Sequence, residues 1–263
     1  MSKFDNFNSV AGSFLRQLPI TESMKAVVVL SGGMDSTIAA RLAVERYGAE
    51  NVHALSFFYG QKQAIEIDYA ANNAAALKLA KHTKVDISFL GDMVRGVSAN
   101  IAGGLAMPTI RDILGDPAPT TEVPFRNGIL LMIATAYAQA NGIQTVITGL
   151  QAQDQYNYFD TTPAFVSAMN NVLALNRMHD IAIRAPFISS NKAQEIKALI
   201  ELDGDAKLLD STITCYNPDG HVSCGKCPSC AERIKNFAEA GIKDNIPYAI
   251  EIPWDFLLRN TKQ

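Results

Sequence analysis

The run Ala26–Leu30 restricts the possible folds of this chain more than any other stretch. It reads Ala-Val-Val-Val-Leu, contains no polar residue and is rich in β-branched side chains. A strand with one face in water alternates apolar and polar residues, whereas a strand without alternation is covered on both faces, as in a parallel sheet. Gly32 and Gly33 follow directly, and Asp35 and Ser36 suit the N-cap and first turn of a helix. The stretch therefore predicts a strand, a tight turn and a helix within an α/β fold.

The turn between this strand and this helix has the geometry of an anion site, because free backbone N–H groups and the positive end of the helix dipole converge there. The stretch Ser31–Ser36 is neither G-x-G-x-x-G nor a P-loop ending in Lys-Ser or Lys-Thr, so dinucleotide oxidoreduction and γ-phosphate transfer both lose support. A G-x-x-x-x-G-K string at Gly220–Lys226 has no preceding strand, and we interpret it as a coincidence. A tight βα turn without any ligand remains the alternative.

Strand-like and helix-like segments alternate along most of the chain, which predicts a doubly wound α/β fold with a parallel sheet. Further strands are predicted near residues 51–60, 84–90, 145–150 and 181–186. Helices are predicted near residues 35–47, 61–81, 127–141, 163–177 and 192–202. Residues 91–121 contain many glycines and prolines and are predicted to form a long irregular excursion.

Composition narrows the class of protein further. With 263 residues, 48% of them hydrophobic, the chain can bury the core of one domain with a small appendage. The net charge is −3 and no block of lysines and arginines occurs, which disfavours binding to nucleic acid. No stretch approaches the roughly 18 apolar residues of a membrane span, and residues 1–23 make a poor signal peptide, so we expect a cytoplasmic protein. Phe4, Phe7, Phe14 and Leu15 are candidates for packing against a partner subunit.

All four cysteines lie near the C-terminus in the spacing C-x8-C-x2-C-x2-C, at Cys215, Cys224, Cys227 and Cys230. Four thiolates fill the tetrahedral shell of a structural zinc ion, and C-x2-C links are typical of such sites. Two disulfides are the alternative, which a reducing compartment disfavours. We predict one structural zinc ion that takes no part in chemistry, because four sulfur ligands leave no open position. His221 is expected to be a solvated loop residue.

The string S-G-G-x-D-S at 31–36 resembles the PP-loop of ATP pyrophosphatases, which holds the pyrophosphate released when ATP is cut at its α-phosphate. Combined with the cysteine spacing, it resembles the 7-cyano-7-deazaguanine synthase family. The likeness spans about residues 25–244 and includes YGQKQAIE at 59–66, VPFRNGILL at 123–131, TGLQAQD at 148–154 and NKAQEI at 191–196. The resemblance implies a fold like that of adenine nucleotide α-hydrolases. We expect an N-terminal extension at 1–24, a nucleotide-binding domain at 25–205 and a zinc-binding helical segment at 206–263.

The resemblance also implies a reaction. Family members convert 7-carboxy-7-deazaguanine, ATP and ammonia into the 7-cyano base through an acyl-adenylate and an amide. The implied ATP-binding residues, acting with Mg²⁺, are Leu30, Ser31, Gly32, Gly33, Asp35, Ser36 and Thr37. The implied catalytic residues are Asp35, Ser36, Arg126 and Lys192, and the implied substrate-binding residues are Tyr59, Gln61, Arg126, Asn127, Asp154, Tyr158 and Asp160. Asn127 is also a candidate cap for the helix that follows it. The resemblance further implies a homodimer.

One segment departs from the family pattern. Relatives tend to show Glu-Thr-Asp and then Tyr-Pro-Asp-Cys-Arg, whereas this chain has AQD at 152–154 and YFDTT at 158–162. If the segment contacts substrate, loss of the arginine removes a charge-assisted hydrogen bond worth roughly 1.5–3 kcal/mol. Three functions therefore stay open: the nitrile-forming synthase, a related ligase that stops at an amide, and a tRNA-modifying PP-loop enzyme. The acidic balance and the lack of a spare cysteine argue against the third.

Overall fold

A parallel sheet forms the centre of the protein. The computed structural model describes residues 9–106, 120–152 and 158–260. Within these residues the sheet has five strands in the order β3-β2-β1-β4-β5, all parallel to their neighbours. The strands are β1 (Ala26–Val29), β2 (Val52–Phe58), β3 (Lys81–Asp86), β4 (Thr145–Ile147) and β5 (Ala182–Arg184). The direction of winding reverses between β1 and β4, which leaves a crevice at their carboxyl ends. The predicted doubly wound sheet is confirmed.

Helices cover both faces of the sheet. They are α1 (Val10–Leu15), α2 (Met34–Tyr47), α3 (Glu66–Ala76), α4 (Ser88–Val94), α5 (Arg126–Ala140), α6 (Pro163–Leu173), α7 (Lys192–Asp203), α8 (Pro228–Glu239) and α9 (Trp254–Asn260). Ala26 and Val28 pack in one hydrophobic cluster with α1, α2 and α7, whereas Val27 packs in a second cluster with α5. Both faces of β1 are therefore covered, which explains its unbroken apolar sequence. Among the helices described, none combines the length and the apolar composition that crossing a membrane requires.

The largest differences between predicted and observed boundaries concern three segments. The strand predicted at 84–90 lies earlier, because Asp86 Oδ1 accepts a hydrogen bond from the Ser88 N–H at 2.8 Å and the chain turns into α4. The helix predicted at 61–81 is confined to α3, because Lys78 adopts a left-handed backbone with φ of 54° before the chain enters β3. Part of the predicted excursion at 91–121 belongs to α4, and its residues 107–119 lie outside the described residues.

The N-terminal helix α1 is part of the core of its own chain. Phe14 and Leu15 are buried in the hydrophobic cluster that contains α2 and α7. The ring of Phe14 meets that of Phe187 edge-on, with the centroids 4.9 Å apart. The expected packing against a partner subunit is therefore wrong for Phe14 and Leu15, because their apolar surface is already covered within the chain. Phe4 and Phe7 lie outside the described residues.

Candidate active site

The turn after β1 brings backbone atoms of neighbouring segments into close contact. Gly32 has a φ of 90°, and Gly33 is the N-cap of α2. A Cβ atom on Gly32 would lie 2.3 Å from the carbonyl oxygen of Glu66, and one on Gly149 would lie 2.8 Å from the carbonyl carbon of Asp35. Only glycine fits at these two positions, since a side chain would collide with backbone atoms. The first turn of α2, whose N–H groups have no partner within the helix, consequently lines the crevice.

Hydroxyl groups within the turn hold its backbone in shape. Ser36 Oγ accepts a hydrogen bond from the Ser31 N–H at 3.1 Å and donates to the carbonyl oxygen of Gly33 at 3.1 Å. Thr37 Oγ1 donates to the same carbonyl at 2.8 Å and accepts from Asn73 Nδ2 at 3.1 Å. Because Thr37 is fully buried, its hydroxyl supports the turn from behind, whereas Ser31 and Ser36 lie in the wall of the crevice.

A cavity of about 350 Å³ opens at the crevice between β1 and β4. The residues of its wall that the sequence predicted as site residues are Leu30, Ser31, Gly33, Asp35, Ser36, Tyr59, Gln61, Arg126, Asn127, Tyr158, Asp160 and Lys192. Gly32 and Thr37 are buried behind this wall, and Asp154 lies outside the described residues. The fold thus brings most of the predicted ATP-binding residues and most of the predicted substrate-binding residues to one cavity.

Lys192 links the Ser31–Ser36 turn, the predicted phosphate turn, to the C-terminal segment. It is the first residue of α7, whose start is fixed by reciprocal hydrogen bonds between Asn191 and Gln194. Its Nζ lies 2.6 Å from Glu232 Oε2 in α8 and 3.9 Å from Asp35 Oδ2 in α2. The ammonium group is therefore held at the cavity between two carboxylates, where an anionic ligand can reach it.

Glu195 is a fully buried acid next to this group. One of its carboxyl oxygens accepts a hydrogen bond from Gln151 Nε2, and Gln151 itself lines the cavity. Burial raises the pKa of Glu195 well above its ordinary value, and the negative charge of Asp35 acts in the same direction, although Lys192 opposes it. The raised pKa favours the protonated, uncharged form of Glu195, which adds no negative charge next to the phosphate turn.

Arg126 also lies in the cavity wall. Phe125 is the N-cap of α5 and has a left-handed backbone with φ of 53°, so the helix begins at Arg126 and Asn127 is not the cap. The Arg126 guanidinium donates to Tyr59 OH at 3.3 Å and lies 5.7 Å from the centroid of the Tyr59 ring. The Asn127 N–H donates to Asp160 Oδ2 at 3.2 Å, which ties α5 to the segment before α6. These contacts fix a planar cation in the cavity wall, suited to a carboxylate or a phosphate.

Glu66 and Tyr59 share this part of the cavity. Burial raises the pKa of Glu66 to about 7, although the positive charge of Arg126 works in the opposite direction. Burial also raises the pKa of Tyr59, so its phenol stays protonated. An acid with a pKa close to neutrality can both accept and donate a proton under physiological conditions.

Gln61 and Tyr158 are held by hydrogen bonds within the protein. The Gln61 side chain accepts from the Tyr59 N–H at 2.9 Å and donates to the carbonyl oxygen of Phe57 at 3.1 Å. Tyr158 OH lies 2.5 Å from Thr121 Oγ1. The Gln61 amide therefore shapes the turn that presents Tyr59 to the cavity.

The four cysteines form one compact cluster. Their Sγ atoms all lie within 4.8 Å of one another, which fits ligation of a single metal ion. Backbone N–H groups point at the sulfurs: Cys224 and Asn217 donate to Cys215 Sγ at 3.2 and 3.3 Å, and Cys230 donates to Cys227 Sγ at 3.4 Å. Such bonds stabilise thiolates, so the donor set suits zinc.

The segment that carries this cluster also forms part of the cavity wall, with Thr214, Tyr216, Ser229 and Glu232. The Ile213 N–H donates to the carbonyl oxygen of Gly32 at 3.2 Å, so the approach to the first cysteine is bonded to the phosphate turn. The cysteine segment therefore contributes to the geometry of the cavity as well as to folding.

Sequence reasoning missed several residues of the site. Glu66 lies within a segment that resembles the family, but its chemistry was not singled out. Gln151 and Glu195 also lie within family-like segments, at 148–154 and 191–196. Glu232 and Arg233 gave no signal, because isolated charged residues are usually solvated.

Comparisons with known proteins identify relatives of this chain. The family model described as "Queuosine biosynthesis protein QueC" matches residues 25–241. The chain is 39% identical to the 7-cyano-7-deazaguanine synthase of Koribacter versatilis over 228 residues, 86% of this chain and 93% of that one. It is 37% identical to the synthase of that name from Methanospirillum hungatei over 229 residues, 86% of this chain and 100% of the other. An NH3-dependent NAD synthetase from Campylobacter jejuni superposes with a TM-score of 0.44 at 17% identity, covering 76% of this chain and 73% of that chain. The family match and the identity to the two synthases show that the chain belongs to the QueC family of queuosine biosynthesis proteins.

Proposed function

We propose that this protein converts 7-carboxy-7-deazaguanine, ammonia and ATP into 7-cyano-7-deazaguanine. The observation that carries the proposal is the single cavity into which the phosphate turn and Arg126 both project, in a chain whose relatives are named for this synthesis. A turn of this kind binds the phosphates of ATP, and a fixed guanidinium binds the carboxylate of the acid.

The reaction begins by activating the acid, because a carboxylate is a poor electrophile at neutral pH. A carboxylate oxygen attacks the α-phosphorus of ATP, the bond to the bridging oxygen breaks, and pyrophosphate leaves with the electron pair. In this proposal, backbone N–H groups of the first turn of α2 and the Lys192 ammonium group stabilise that leaving charge, since both line the cavity. Ammonia displaces AMP to give an amide, and a second adenylation at the amide oxygen allows loss of AMP and formation of the nitrile.

Metal ions have two separate roles in this proposal. Asp35 offers carboxylate oxygens in the cavity wall next to the phosphate turn, and oxygen is the donor atom that Mg²⁺ prefers. Mg²⁺ bound with ATP would neutralise negative charge on the phosphates. One zinc ion per chain, held by the four cysteine sulfurs, stabilises the C-terminal segment, for which we propose the limits 206–263.

The substrate is proposed to bind beside Arg126. Tyr59 offers an aromatic surface and Gln61 holds the turn that carries it. Asp160, Tyr158 and the sequence-predicted Asp154 are proposed to contact the N–H edge of the base, with Asn127 positioning Asp160.

The amide-forming ligase is the second candidate, and the departure at 152–162 supports it. Thr162, at the position of the family arginine, accepts a hydrogen bond from the Phe165 N–H at 3.1 Å and caps α6. A neutral hydroxyl with a structural role stands where the family pattern has a cation, so any substrate contact made by that cation would be missing here.

Mass spectrometry of the reaction mixture distinguishes these functions. We expect the acid, ammonium, ATP and Mg²⁺ to yield the nitrile, and added amide with ATP to be consumed. An amide that accumulates and is never consumed would favour the amide-forming ligase. ADP as the main product, or an absence of acid-dependent pyrophosphate release, would refute the assignment altogether, and stimulation of ATP cleavage by tRNA alone would favour a tRNA-modifying enzyme.

We also propose a cytoplasmic homodimer. Four reduced cysteines suit a reducing compartment. The exposed side chains Val172, Leu175 and Met178 at the end of α6 give an apolar surface that supports self-association. Light scattering after size-exclusion chromatography tests the oligomeric state, and a monomer at micromolar concentration would refute the homodimer.

A further inference from the structure

The Glu66 carboxyl group lies in the cavity wall and has no role in the steps proposed above. Its backbone is fixed against the phosphate turn, since its carbonyl oxygen lies where a Cβ atom on Gly32 would be. It experiences the positive charge of Arg126, and in turn it acts on the phenol of Tyr59. Among the described residues, no hydrogen bond or ion pair holds its carboxyl group, so the group is available to a ligand.

The proposed reaction requires a base at this place. At neutral pH ammonia is present mostly as ammonium, which has no lone pair and cannot attack an acyl carbon. The nucleophile must therefore lose a proton as it enters, and a pKa of about 7 makes Glu66 an effective acceptor at that pH.

We propose that Glu66 is the catalytic base that generates ammonia for the attack on the acyl-adenylate, an inference that rests on the proposed function. The N–H bond of ammonium breaks with its electron pair left on nitrogen, and the proton passes to the Glu66 carboxylate. The nitrogen lone pair forms the C–N bond, the C–O bond to AMP breaks, and AMP leaves with that electron pair. The second proton lost by nitrogen goes to water, as does the proton on Glu66 before the next cycle.

Glu66→Gln tests this inference, because it keeps the size and removes the base. We expect the variant to release pyrophosphate as the wild type does when the carboxylic acid substrate and ATP are supplied without ammonium. At neutral pH we expect kcat/KM for ammonium to fall by about 100-fold or more, the usual contribution of a general base. Asp68→Asn is the matched control, since Asp68 lies in the same turn of α3 with its side chain in water, and we expect it to behave as the wild type.

The pH profile separates a base from a binding or structural group. We calculate kcat/KM from the total concentration of ammonium and ammonia. The wild-type value is expected to level off above about pH 7, whereas the Glu66→Gln value keeps rising up to about pH 9, as the fraction of free ammonia increases. A variant with the wild-type profile refutes the inference alone. A variant with a raised KM for the carboxylic acid substrate and no recovery of activity at high pH also refutes it, and indicates that Glu66 binds the deazaguanine ring. Wild-type protein without acid-dependent pyrophosphate release refutes the proposed function together with this inference.

Discussion

Replacing Arg233 by methionine is expected to destabilise the protein strongly, because it breaks a buried ion pair. The side chains of Arg233 and Asp244 are 1% and 0% exposed, and two hydrogen bonds of 2.6 and 3.1 Å join them. Arg233 also donates to Thr212 Oγ1 at 2.7 Å, and Asp244 accepts from Tyr248 OH at 2.7 Å. The pair thus connects α8 to the residues that lead into the cysteine cluster.

The expected loss follows from the charge that remains. Removing one partner of a buried pair costs about 3–5 kcal/mol, because the other charge stays buried without compensation. Asp244 keeps the hydrogen bond from Tyr248, so we expect a value near the lower limit, about 3 kcal/mol. In a chain of this size that corresponds to a fall in Tm of roughly 6–12 °C.

Thermal unfolding followed by circular dichroism measures this change, with zinc content determined on the same samples so that metal loss is recognised. Arg95→Met is the control, since the Arg95–Asp92 pair is exposed and contributes about 0–1 kcal/mol. If Arg233→Met lowers the Tm by no more than Arg95→Met does, at equal zinc content, the reasoning is refuted.

Three further outcomes are expected. Gly32→Ala should abolish pyrophosphate release and lower the free energy of unfolding in urea by about 1–3 kcal/mol or more, because position 32 has a φ of 90° and a Cβ there would lie 2.3 Å from a carbonyl oxygen. An unchanged urea midpoint contradicts this. Cys224→Ser should lower both zinc content by elemental mass spectrometry and Tm, and full zinc occupancy in the variant would count against the metal site. Burial favours protonated Glu195 in the folded state, so wild-type stability should fall as pH rises from the ordinary glutamate pKa towards the raised one. Glu195→Gln should lack this fall, and an equal pH dependence of the two unfolding free energies would contradict the raised pKa.

The features that the sequence alone determined are those whose signal is local. β1 has no polar residue because both of its faces are covered, and Gly32, in the turn that follows β1, stands where backbone contacts exclude a side chain. The C-x2-C spacings place thiols on neighbouring turns, so the cysteine cluster was predictable from the chain. The family match over residues 25–241 agrees with the span of resemblance read from the motifs.

Only the tertiary structure decided which isolated residues face one another. Glu195 and Glu232 lie on separate helices, and each would be a solvated acid if its helix packed differently. Phe14 could have covered a partner subunit as well as its own core, because apolar character does not specify what a side chain will contact. The pKa of Glu66 likewise depends on burial and on Arg126, which lies in a different helix. Long-range packing sets these environments, and a charge or an apolar side chain acquires its role from the neighbours that the fold supplies.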